Sequence, residues 1–140
     1  MKTIIKAICL VAFLNFAEQG QAQTKEETIR WLREKMMKSC FLYTSPDGRI
    51  CTIKTVKFNN NLLEYSIECE SELYSMQVNL DKVKQINDKG WLETNGDYVY
   101  YIFEDGQRLS MEAAFQINPD CEPNFIPNFQ KKLNHYISLM

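Results

Sequence analysis

A chain of 140 residues with 16 Lys and Arg against 18 Asp and Glu has a formal charge of −2. It lacks a basic block, so phosphates are weakly attracted, which sets nucleic acid and anionic membrane surfaces aside as partners. Aromatic residues make up 12% of the chain, mostly Tyr and Phe, and suit a sheet-rich core.

The first segment reads as a cleavable secretory signal. Lys2 and Lys6 give a positive start, and Ala7 to Leu14 form an apolar run too short for a permanent membrane anchor. Gly20 and Ala22 supply the small residues of a cleavage site, with Gln23 as the expected new N-terminus. Residues 23–140 then form a single globular domain of ordinary size, secreted or periplasmic, with no later stretch apolar enough to span a membrane. Losing Lys2, Lys6 and Glu18 moves the formal charge from −2 to −3. Of five cysteines, Cys9 leaves with the signal. The even set of Cys40, Cys51, Cys69 and Cys121 points to disulfides in an oxidising compartment.

Thr24 and Glu27 have the spacing of a capping box, and Ile29, Leu32, Met36 and Cys40 follow at helical intervals, predicting a helix over about 25–38. Trp31 lies off that stripe and is free to touch a second surface. Period two then takes over. Ser45-Pro46-Asp47-Gly48-Arg49 predicts a tight turn between strands near 40–45 and 49–58. Asn59-Asn60-Asn61 predicts the next reversal, because Asn tolerates the left-handed region. Leu63, Tyr65, Ile67 and Cys69 alternate with polar residues, as do Tyr74, Met76, Val78 and Leu80, predicting two strands each wet on one face. Residues 81–97 are less regular, with a helical turn at Val83 and Ile86, a short strand at Trp91-Leu92 and a turn at Asn95-Gly96. Tyr98 to Phe103 is dense in β-formers on both faces. Asp105-Gly106 closes a hairpin into one half-buried strand carrying Leu109, Met111, Ala113, Phe115 and Ile117 inward. Pro127 is tolerable in the first turn of a last helix that begins near Asn124 or Ile126, with Ile126, Phe129, Leu133, Tyr136, Ile137 and Met140 inside.

The expected fold is therefore α+β: an N-terminal helix, a curled antiparallel meander of six to seven strands and a C-terminal capping helix. A three-residue loop at 59–61 would set Cys51 opposite Cys69, with Ile53 facing Ile67, and leave Cys40 to pair with Cys121. A one-residue change in loop length would instead put Cys51 opposite Glu68 or Glu70. Four buried cysteines acting as small hydrophobes are the alternative.

Candidate chemistry is sparse. The one histidine, His135, lies on the last helix with no sequence sign of a thiolate partner, and no Gly-x-Ser-x-Gly elbow occurs. No Cys-x-x-Cys or His-Glu-x-x-His spacing suggests zinc. Glu68, Glu70 and Glu72 share a strand face that would have to gather calcium, and a solvated edge explains them better. No cofactor is expected. Tyr98, Tyr100 and Ile102 line one face of the aromatic strand and, with Trp31, are the candidate interaction patch. The reading is an exported non-catalytic binding module for an unknown protein or small ligand. The alternatives are an accessory subunit of an envelope complex and a small extracytoplasmic hydrolase with a dispersed site.

Two resemblances accompany these residues. The element order over roughly 40–139 resembles the pleckstrin-homology-like superfold, whose bent meander is capped by a last helix. Phosphoinositide-binding members of that superfold use several cations at the first hairpin, where this chain offers Arg49 alone, with Lys54 and Lys57 farther along. The signal followed by Gln23-Thr-Lys-Glu-Glu-Thr-Ile-Arg-Trp-Leu32, and the ending Asn134-His-Tyr-Ile137, are similar to small exported proteins of unassigned function from Bacteroidetes-type bacteria. That likeness implies a Gram-negative periplasmic or secreted address and no known activity.

Overall fold

Helix α1 (residues 25–36) buries Thr28, Leu32 and Met36 at a spacing of four, with buried Cys40 four residues further on, so its apolar stripe faces inward as the spacing requires. The structure, a computed structural model, describes residues 25–140. The signal segment 1–22 and Thr24 of the capping box lie outside the described residues.

Nine strands follow, where six to seven were expected: β1 (Phe41–Thr44), β2 (Ile50–Asn59), β3 (Leu62–Cys69), β4 (Glu72–Asn79), β5 (Val83–Ile86), β6 (Trp91–Thr94), β7 (Val99–Ile102), β8 (Arg108–Met111) and β9 (Ala113–Ile117). Helix α2 (Phe125–Ser138) ends the chain. All pairings are antiparallel, in the order β5-β6-β9-β1-β2-β3-β4-β7-β8.

The extra strands come from two places. Val83 and Ile86 sit on β5, preceded by a short 3-10 turn at Leu80–Lys82, and not on a helical turn. The expected strand from Leu109 to Ile117 is cut at Glu112. Its first half pairs with β7, whereas its second half lies between β6 and β1. A one-residue link therefore joins one end of the strand order to a position near the other end, which is possible only if the sheet rolls up. Rolling changes which side chains are inside. Leu109 is 42% exposed, while Ala114, assigned by alternation to the wet face, is buried. β5 and β8 do not pair with each other, so the roll stays unclosed.

The two helices complete the core. Phe129 of α2 packs on Phe41 of β1 and Phe115 of β9 at centroid distances of 5.0 and 6.2 Å. Phe125, absent from the expected inner face, is buried, and Met140 is exposed. The reason is that α2 starts at Phe125, with Asn124 in the left-handed conformation just before it, so the first inward position falls one residue earlier. At the other end of α2 the Tyr136 hydroxyl donates to the Asn60 carbonyl of the β2–β3 turn at 2.8 Å.

The β2–β3 hairpin corrects the expected loop. Asn59 pairs with Leu62 across a two-residue Asn60-Asn61 turn, in which Asn60 takes φ 51°. That turn alone would put Cys51 out of register with Cys69. A bulge between Ile53 and Thr55 shifts the ladder by one residue, so Ile53 faces Ile67 and Thr52 faces Glu68. Cys51 and Cys69 then meet, with Cα atoms 4.4 Å apart, and are joined in a disulfide. Cys40 and Cys121, 81 residues apart, form the second, with a Cα separation of 5.5 Å. It ties the chain just after α1 to the segment before α2.

Candidate functional site

On α1 the residues opposite the buried stripe are Arg30, Arg33 and Glu34, and Met37, just past the helix end, continues the same flank at a spacing of three and four. Beside that flank runs β2, at the point where its bulge falls. In a regular strand Lys54 and Thr55 would point to opposite faces; the bulge leaves both exposed in succession, and inward alternation resumes at buried Val56. Between helix and strand lies an open groove of about 770 Å³, lined by these residues and Lys38. Such a volume is typical of small-molecule sites.

Among the described residues the groove gathers four cations, Arg30, Arg33, Lys38 and Lys54, against one carboxylate, Glu34. Lys54 Nζ lies 3.4 Å from Glu68 on β3. Arg30, Arg33 and Lys38 have no ion pair or side-chain hydrogen bond among the described residues. The apolar part is supplied by Met37, 50% exposed, by Val56 and by the aliphatic stems of the long cations. Sequence reading missed this site. Two of its cations, Arg30 and Arg33, were visible as a helical flank, but the bulge that brings Lys54 beside them has no sequence signature.

The candidate patch is divided. Tyr98, Tyr100 and Ile102 are half-buried next to and along β7, whose other face, Val99 and Tyr101, is fully inside. The Lys82 ammonium lies 5.4 Å from the Tyr98 ring and the Arg108 guanidinium 5.7 Å from that of Tyr100, so both rings are partly capped by cations of this chain. Trp31 is elsewhere. It is half-buried against Phe129 of α2 at 6.1 Å, with Lys35 and Lys132 over its ring. The second surface it touches is thus the last helix of its own chain.

Glu68, Glu70 and Glu72 do not share one strand. Glu68 lies on β3, Glu70 with Ser71 forms the following turn at positive φ, and Glu72 opens β4 opposite Cys69. Arg49, at the tip of the β1–β2 hairpin, draws the last two together: Glu72 at 2.9 Å and Glu70 at 3.5 Å, with Asp47 at 3.0 Å. The Tyr74 hydroxyl donates to Glu72 and accepts from Arg49. Hydrogen bonds from Tyr74 and then Arg49 hold the Glu72 carboxyl below the usual carboxylate range. Those from Ser45 and Arg49 do the same for Asp47. One guanidinium thus bridges three carboxylates, and the cluster braces two hairpin tips. Among the described residues no group of three or more His, Cys, Asp or Glu is placed to hold a metal ion.

His135 is exposed on α2, and the backbone carbonyl of this residue accepts from Ser138 Oγ at 2.6 Å. Cys121, the thiol nearest to it in sequence, is committed to Cys40. Compared with protein-family models, with curated proteins and with solved structures, the chain matches none of them.

Proposed function

We propose that this chain is an exported, non-catalytic binding module whose ligand site is the groove between α1 and β2. The observation that carries the reading is the set of cations there, three of them without an ion-pair partner among the described residues, above an apolar floor. Folding gains little from gathering like charges, which repel one another unless something opposite arrives. Two disulfides and the Lys2–Ala22 signal pattern support an extracytoplasmic address. The resemblance of the expected element order to the pleckstrin-homology-like superfold adds only an analogy, since one superfold hosts many functions.

The test is capture from the secreted and envelope fractions with the exported protein and with an Arg33→Glu variant, reading both proteins and extractable small molecules. A component retained by the first and lost by the second is the expected result. Retention unaffected by the change, or no retained component, would overturn the reading. N-terminal sequencing of the exported form checks the address and is expected to begin at Gln23.

A further inference from the structure

Resting on that reading, we infer that the occupant of the α1–β2 groove is a single-chain amphiphile with a carboxylate head, a fatty acid in chemical class. The head is assigned by charge. Arg30 and Arg33 offer guanidinium forks that match a carboxylate with two parallel hydrogen bonds, and Lys38 adds a point charge from the bend just after the helix. The tail is assigned by the exposed Met37 and the Val56 wall, because an unbranched thioether adapts to a flexible chain without a fixed pocket shape.

Other occupants fit less well. β1 pairs with β2 only at Ile50 and Cys51, so an extended peptide could add a strand beside Lys54 to Val56, but its main-chain hydrogen bonds would leave the helix cations unmatched. The chain's own leader carries Lys2 and Lys6 with Glu18 alone to offset them, so its charge opposes the groove's. A neutral lipid would leave the three cations as they are.

Titration calorimetry of the exported, disulfide-bonded protein with dodecanoate below its micellar concentration tests the assignment. One saturable site is expected, weakening with added salt as exposed charges are screened. Dodecyltrimethylammonium and acetate, which lack the anionic head and the chain respectively, are each expected to bind at least tenfold more weakly. Arg30→Glu with Arg33→Glu is expected to weaken dodecanoate at least tenfold with an unchanged melting temperature, because both side chains are exposed. If that variant fails to fold, Met37→Glu takes its place with the same expected loss. Equal binding of the cationic chain, equal binding of acetate, or no dodecanoate binding would each overturn the fatty-acid assignment. So would a monomer–dimer equilibrium abolished by the double change, which would make a second copy the occupant. Capture of another component that still depends on Arg33 would then leave the binding-module reading standing while the ligand class falls.

Discussion

The Tyr101 hydroxyl on β7 donates to the Thr44 carbonyl at the end of β1, a bond of 2.7 Å between residues 57 apart in the chain. In the strand order β2, β3 and β4 stand between those two strands, so the bond spans the interior of the rolled sheet and not a ladder. Tyr65, the next large phenol inside, is fully buried, yet its hydroxyl has no hydrogen-bond partner among the described residues. Changing each to Phe separates the two. Tyr101→Phe is expected to destabilise by about 1–2 kcal/mol, since it orphans a carbonyl as well as losing the bond. Tyr65→Phe removes an unpaired buried group and is expected to be neutral or to stabilise by about 1 kcal/mol. Denaturant unfolding at pH 7 reads both.

The two disulfides close loops of different length. In the chain-entropy account, the 18-residue separation of Cys51 and Cys69 corresponds to about 3 kcal/mol, and the 81-residue separation of Cys40 and Cys121 to between about 4 and 5 kcal/mol. Paired Cys→Ala variants are expected to fall in that order of stability loss. Non-reducing mass analysis is expected to show the exported protein four hydrogens lighter than its fully reduced form.

Stability is expected to fall at both ends of the pH scale, for different reasons. Asp47 and Glu72 are held below the usual carboxylate range by their hydrogen bonds, so on acidification the unfolded chain takes up protons before the folded one does. Their contribution is present above about pH 4 and is lost as the pH falls through their depressed folded values. Arg49→Ala is expected to flatten that acid limb, read as the denaturant midpoint against pH. At the alkaline end, burial pushes the Tyr43 and Tyr65 phenols well above their ordinary range. The unfolded chain then releases protons first, and stability is expected to decline from about pH 10 upward.

Gly90, in the turn just before β6, lies against Ile117 of β9. It sits at φ +89°, its carbonyl accepts from the Ile117 amide at 2.8 Å, and a Cβ there would run into the Ile117 carbonyl. Both the conformation and the contact resist any side chain. Gly90→Ala is expected to cost about 2 kcal/mol or more, measured by thermal unfolding.

The cysteine ladder shows how sequence and structure divide the decisions. Alternation along 49–58 and 62–69 already placed Cys51 and Cys69 on one side and Ile53 against Ile67. The supposed route, a three-residue loop, differs from the actual one, a tighter Asn60-Asn61 turn offset by a bulge at Lys54. The two routes give the same register near the cysteines because each inserts one unpaired residue. They differ at the surface, where the bulge exposes Lys54 and Thr55 side by side and completes the groove.

Local periodicity, turn chemistry and the even cysteine count determined the helix at each end, most strand positions and the α+β class, because these depend on neighbours a few residues away. The rolling of the sheet, the break at Glu112, the burial of Phe125 and the meeting of Arg30, Arg33 and Lys38 with Lys54 were decided only in three dimensions. A strand's partners and a bulge's position follow from which buried faces must meet across the whole core, and no window along the chain contains that requirement.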